Sequence, residues 1–330
     1  MRTAPVGRLL FNPPAHGGSK GSSPEAPVPA TTCCAHRKAG IGNTLNSRCL
    51  MAKSRKKKDQ EAFDFFDKQA SSFGWLVKQA RLISNRVGPH VATPRHGYAT
   101  WLFIRACITA GSLTQLFEGQ TSENNAITYL DHPSVAALSR ALMENIAVLI
   151  YFTDDKLSDD EWRCRRDLID LHDLINRGQF LTQIDPKQKP PPKDLSEAQC
   201  KLLNDNPAFM AIPAARRKRL LAGEDMFVQG RHHAMLAFGW GHQLTRGVYK
   251  YVSSHAHSTA LAFRRTEKNR VYTKDSGASQ AVAGFSLEFA SKAFGLGCLH
   301  MLALFPYVEA TFDPLIIGSL RADYKPTSNP

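Results

Sequence analysis

Acidic residues are almost missing from the first 58 positions, where Glu25 stands alone against 11 Lys and Arg. The same stretch is rich in Pro, Gly and Ser, a composition that cannot bury enough apolar surface to fold by itself. It also lacks the apolar run after a basic start that a secretory signal needs. Residues 1–58 are therefore expected to form a disordered basic tail able to contact acidic surfaces. Two origins fit it. An acid-poor segment with Arg and Ser resembles an organellar transit peptide; alternatively Met51-Ala52-Lys53-Ser54-Arg55-Lys56-Lys57-Lys58 is a natural start and the first fifty residues lie upstream of it.

Other absences narrow the chemistry. Seven cysteines, Cys33, Cys34, Cys49, Cys107, Cys164, Cys200 and Cys298, show no repeated Cys-x2-Cys spacing, which argues against a disulfide framework and a zinc knuckle and for a reducing, cytoplasmic setting. The sequence has no Gly-rich loop ending in Lys after a strand, no Gly-x-Ser-x-Gly, no His-Glu-x2-His and no paired Glu-x2-His. P-loop, serine-hydrolase, zincin and di-iron chemistries are disfavoured, and neither a cofactor nor a metal is expected. No period-2 alternation is long enough for a sheet, and no internal repeat is present.

The formal charge of +13 suggests nucleic acid, yet the tail carries +10 of it; residues 59–330 hold 31 basic residues against 28 acids, a net of +3. The basicity describes the tail, and the body is nearly neutral.

What remains is a helical pattern. With 330 residues and 43% hydrophobic content the chain can bury a sizeable core. Helices are predicted at 60–87, with Phe63, Phe66, Phe73, Leu76, Val77, Ala80 and Ile83 at helical spacing, and at 95–117, opened by Thr93-Pro94. Asp131-His132-Pro133 opens a third, 134–153. A fourth, 158–177, pairs Arg163 with Asp167, Arg166 with Asp170 and Asp173 with Arg177, the signature of a solvated outer face. Short helices are expected at 196–203 and 213–221, the latter with a solvated basic end at Arg216, Arg217, Lys218 and Arg219. An irregular stretch at 223–241 precedes helices at 244–262 and 278–305. The fold class is all-α, a single helical bundle over 59–330 with long buried apolar helices. Arg105, the Arg140/Glu144 pair and the Glu288/Lys292 pair sit inside the apolar segments, so these are read as bundle core with no membrane span.

The segment 134–153 is apolar almost all the way round, which makes Arg140 and Glu144, one turn apart, the most informative pair in the chain. A charge in a core must be paired or bind something. The second informative segment holds Tyr249, Ser253 and His257 at spacings of four, which puts a phenol, a hydroxyl and an imidazole on one side of a helix. His255 points nearly the other way. Either His257 satisfies a core acceptor, or it meets Arg140 and Glu144 from a neighbouring helix. In the second case Arg140 holds Glu144 or an anion, and Glu144 and His257 are acid–base or orienting groups.

The combination of an Arg-x3-Glu helix, Glu161-Trp162-Arg163-Cys164-Arg165-Arg166 and Tyr249-x2-Val252-Ser253-x3-His257-Ser258 resembles a family of bacterial all-helical proteins without an assigned activity. The resemblance covers 126–258 and implies that Arg140, Glu144, Tyr249, Ser253 and His257 lie together. More distantly, such bundles are similar to HEPN domains, many of them ribonucleases marked by Arg, four to six residues, then His. Arg165, Arg166 and His172 match that mark, implying an Arg that holds phosphate and a His that acts on the ribose hydroxyl. The helix carrying them already looks like a solvated face. Three functions are open: a non-catalytic interaction or sensing module, with a protein or RNA partner; a metal-independent ribonuclease of defence or toxin systems; and a site for a small anionic ligand at the bundle centre.

Overall fold

A computed structural model describes residues 41–88, 93–121, 127–185, 187, 192–257, 259, 260, 262 and 272–324. The expected tail over 1–40, with Cys33 and Cys34, lies outside the described residues, as do Pro186, Pro190, Pro191 and Ser258. The chain divides into two units, Met1–Cys49 and Leu50–Pro330.

The architecture is an all-α bundle. Its first helix, α1 (Ile41–Val87), starts well before the expected position 60. Residues 41–58 are thus helical, a correction to the disordered tail: past the last proline at Pro29, this stretch is dominated by Leu, Met, Ala, Lys and Arg, all good helix formers. Phe66, Phe73, Leu76, Val77, Ala80, Ile83 and Val87 form the buried stripe, whereas Phe63 is half-buried.

Helix α2 (Pro94–Glu118) begins where the Thr93 hydroxyl accepts from the His96 amide at 3.3 Å, with Pro94 at the first helical position. It buries Phe103, Ala106, Cys107 and Ala110 but turns Trp101, Ile104, Arg105 and Ile108 outward. A two-residue antiparallel pair, β1 (Gln120–Thr121) and β2 (Thr128–Tyr129), leads to α3 (His132–Thr153), capped by Asp131 on the Ser134 amide. A capping box between Ser158 and Glu161 starts α4 (Asp159–Ile184).

Three helices follow, α5 (Lys193–Asn204), α6 (Pro207–Met210) and α7 (Ala214–Leu221), which pack on α4 around their own apolar cluster of Cys164, Leu168, Leu171, Leu203, Phe209 and Leu220. The stretch expected to be irregular contains α8 (Arg231–Met235) and a 3₁₀ turn at Leu236–Phe238. Helix α9 (Gly241–Ala256) stops six residues short of the expected end. The bundle closes with α10 (Gly277–Leu304), α11 (Pro306–Glu309) and α12 (Pro314–Tyr324).

α3 runs against both α2 and α10 at the centre. Close approach is built on glycines: a Cβ at Gly297 would lie 2.6 Å from the Ile146 Cδ1 atom, and one at Gly295 would enter the Tyr324 ring. α3 and α10 are each long and apolar enough to cross a membrane, yet 56% and 67% of their most apolar windows are buried against the rest of the fold.

Two expected charge patterns are corrected. On α4, Arg163 pairs with Asp160, one turn towards the N-terminus, and Arg166 pairs with Asp167, which is 4% exposed. Asp167 therefore belongs to the inner side, beside Leu168 and Leu171; only Arg177–Asp173, at 2.8 Å, follows the expected register. Arg216 is not a solvated helix end either. It folds inward onto Asp225 and the Phe227 and Val228 carbonyls.

Candidate functional site

The site lies where α3 and α9 meet, and the local sequence explains each position. Arg140 and Glu144 occupy successive turns of α3 at the edge of its buried stripe, with side chains 21% and 28% exposed, so they are not sealed in apolar surroundings as the sequence suggested. Tyr249 and Ser253 lie one turn apart on α9, and His257 caps its C-terminus just outside regular helix. His257 still falls on the same side because the chain continues in a turn, with its amide donating to the Ser253 carbonyl at 3.1 Å.

Arg140 uses three of its nitrogens. Nε donates to Glu144 Oε1 at 3.1 Å, Nη2 donates to the Tyr249 hydroxyl at 2.8 Å, and Nη1 lies 2.8 Å from His257 Nε2. The Tyr249 hydroxyl in turn donates to Glu144 Oε1 at 2.7 Å, and its ring lies under the Arg140 guanidinium at 4.9 Å. Four of the five expected residues therefore form one hydrogen-bonded network across two helices. Ser253 Oγ is buried beside it and makes no hydrogen bond among the described residues. His257 is exposed and touches Arg140, and no hydrogen bond between it and Glu144 is present among the described residues.

Arg231 is the member that the sequence did not reveal. From the first residue of α8 its Nη1 reaches Glu144 Oε1 at 3.3 Å and the Tyr249 hydroxyl at 3.4 Å, with half of the side chain exposed. Burial works against its charge, but the bond to Tyr249 and the Glu144 carboxylate outweigh that and raise its pKa. The loop that delivers it is rigidly tied. Arg216 grips Asp225, Phe227 and Val228, the Val228 amide donates to the Tyr151 hydroxyl at 3.0 Å, and Phe227 packs on the Tyr151 ring at 5.0 Å. Gly230, with φ +90°, turns the chain into α8 through a conformation that a side chain would strain. Lacking periodicity, such a Gly- and His-rich stretch gives no sign of where its arginine points.

Beside the network opens a cleft of about 290 Å³ between α2, α3 and this loop, lined among others by Arg105, Glu144, Asn145, Phe227 and Arg231. The Asn145 amide is fixed on the Leu102 carbonyl at 3.1 Å. Arg105 is exposed and makes no ion pair among the described residues. Two guanidiniums thus face the cleft with one carboxylate between them. A third, Arg140, holds a protein partner on each of its three nitrogens.

The ribonuclease-like motif lies elsewhere, on α4. Arg165 donates to the Tyr151 carbonyl and stacks over the Tyr151 ring at 4.0 Å, and Arg166 is paired to Asp167 at 2.6 Å. Both guanidiniums hold the fold together. His172 is half-buried, with its carbonyl accepting from Asn176 at 2.8 Å. No cluster of three or more His, Cys, Asp or Glu suited to a metal occurs among the described residues.

Comparison of the chain with protein-family models, characterised proteins and solved structures gives no significant match.

Proposed function

We propose that this protein is a non-catalytic sensing module whose cleft between α2, α3 and α8 takes a small anion, a carboxylate or a phosphate. The observation that carries the reading is that Arg105 and Arg231 line one cleft while each nitrogen of Arg140 already holds a protein partner, Glu144, Tyr249 or His257. A guanidinium suits carboxylate and phosphate because its donors form a planar fork. In this arrangement Arg140 is the register lock between α3 and α9, a role for which partly buried ion pairs are suited. Glu144 is the shared acceptor that keeps Arg231 aimed at the cleft mouth. α3 and α10 are read as core helices of a cytoplasmic protein.

A thermal-shift screen of small phosphates and carboxylates tests this. At least one class should stabilise the protein, and the stabilisation should vanish in the double variant Arg105→Gln/Arg231→Gln, both exposed positions whose replacement leaves the ligand-free melting temperature nearly unchanged. Stabilisation that survives in the double variant refutes the site.

A second reading, metal-independent RNA cleavage, draws on the exposed imidazole of His257 held against a guanidinium. It requires that RNA be cut in the presence of a chelator and that His257→Ala abolish cutting without lowering the melting temperature. Cutting that persists in His257→Ala removes this reading.

A further inference from the structure

The cleft between α2, α3 and the loop before α8 is sorted into a charged end and an apolar end. Helices α2 and α3 run antiparallel: Arg95, near the start of α2, donates to the Asp154 carbonyl just past the end of α3 at 3.1 Å, and the Asn145 amide meets the Leu102 carbonyl further along. The step from Leu102 to Arg105 on α2 therefore runs alongside the step from Asn145 back to Ala141 on α3, which sets Arg105 at the end of the cleft that holds Glu144. Val148, four residues past Glu144, lies one turn away at the other end, with Leu102. The loop follows the same order, because Phe227 packs on the Tyr151 ring at 5.0 Å whereas Arg231 reaches Glu144 at 3.3 Å. Arg105, Arg231 and Glu144 thus gather at one end, and Leu102, Val148 and Phe227 at the other.

The charged end has unused capacity of both signs. Arg140, Arg231 and Tyr249 all bond the Oε1 atom of Glu144, and Oε2 has no hydrogen-bond partner among the described residues. A purely anionic ligand, phosphate above all, sets its charge against that carboxylate. A ligand carrying an ammonium beside its carboxylate meets complementary groups for both, guanidinium for the carboxylate and Glu144 Oε2 for the ammonium. The two positions adjoin, since Arg231 Nη1 and Glu144 Oε1 are 3.3 Å apart, which suits an acid and an amine carried on the same carbon. At about 290 Å³ the cleft lies at the small end of ligand pockets, roughly 300–1,000 Å³, with room for an amino acid and not for a nucleotide.

We propose that this cleft binds an α-amino acid with an aliphatic side chain, its carboxylate on Arg105 and Arg231, its ammonium on Glu144 and its side chain against Leu102, Val148 and Phe227. The assignment rests on the anion-cleft reading above and narrows it to one ligand class.

Calorimetric titration of the full chain with L-leucine and with 4-methylpentanoate, which is leucine without its ammonium, tests the assignment. Wild type should bind leucine at least about tenfold more tightly than 4-methylpentanoate, which leaves Glu144 Oε2 without a partner. It should also prefer leucine by about tenfold or more over glycine, which has no side chain for the apolar end. Glu144→Gln keeps an oxygen for Arg140, Tyr249 and Arg231 but puts an amide nitrogen in the place of Oε2. It should weaken leucine by about tenfold or more and leave 4-methylpentanoate bound at least as tightly as in wild type. Wild type that binds 4-methylpentanoate or glycine as tightly as leucine, a comparison that needs no variant to fold, overturns the amino-acid assignment and leaves the anion cleft standing; so does binding of inorganic phosphate without binding of leucine. Leucine affinity that survives in Arg105→Gln/Arg231→Gln puts the amino acid elsewhere and overturns the assignment as well. If leucine, 4-methylpentanoate and phosphate all fail to bind, the anion cleft falls with it.

Discussion

The Nη1 nitrogen of Arg140 lies 2.8 Å from Nε2 of His257, bridging 117 positions of chain. A guanidinium only donates, so Nε2 is the acceptor and the neutral ring carries its proton on Nδ1. Together with the Arg140–Tyr249 bond, this ties α3 to α9 at two points one helical turn or more apart. Tyr249→Phe removes the hydroxyl that serves Arg140, Arg231 and Glu144 at once, and the expected loss is about 1–2 kcal/mol of stability, measured by urea unfolding. The losses in Tyr249→Phe and Arg140→Met should fall short of additivity in the double variant, by about 1 kcal/mol. Strict additivity would show that the two side chains are energetically independent.

Acid should destabilise the protein through its buried histidines. His132 is fully buried with neither ring nitrogen in a well-aligned hydrogen bond, and it faces the His255 ring at 6.0 Å and stacks on Tyr272 at 5.1 Å. Burial and the neighbouring His255 push its pKa from 6.5 down to about 4, against the opposing pull of Asp131. Burial also lowers His255 and His300. Between 6.5 and 4 the unfolded chain takes up a proton that the folded chain refuses, so stability present above 6.5 is lost as pH falls. His132 alone accounts for up to about 3 kcal/mol across that window. Unfolding curves from pH 7.5 to 4 should flatten in His132→Phe; slopes identical to wild type would contradict this.

Glycines on α10 set how closely the central helices approach. Gly295→Ala forces a methyl into the Tyr324 ring, and Gly297→Ala forces one against the movable end of Ile146. Both should destabilise, by about 1–3 kcal/mol, and the substitution against the rigid ring should cost more. Thermal unfolding of the two variants gives the order. Equal or inverted costs would mean that the Tyr324 helix yields more easily than the Ile146 side chain.

Much of this architecture is legible in the sequence because it rests on helical periodicity. Arg140 and Glu144 are conspicuous in an apolar helix, and Tyr249, Ser253 and His257 share a face by spacing alone. The face of Asp167 is not legible, since an acid placed four residues after Arg163 and one after Arg166 can pair either way, and burial beside Leu168 and Leu171 decides it. Arg231 is invisible for a different reason. Its direction is set by tertiary ties from Arg216 and Tyr151 to a loop without periodicity. Likewise Arg140 reads as an anion receptor until its neighbours are placed, after which each of its three nitrogens proves to hold a protein partner.

The most direct test of the anion cleft is a calorimetric titration of wild type and Arg231→Gln with inorganic phosphate and with a small dicarboxylate at low ionic strength. The proposed site predicts that whichever anion binds wild type loses at least about tenfold in affinity, or about 1.4 kcal/mol, in Arg231→Gln, while the ligand-free melting temperature stays close to wild type. Equal affinity in the two proteins, or no binding of either anion to wild type, would contradict it.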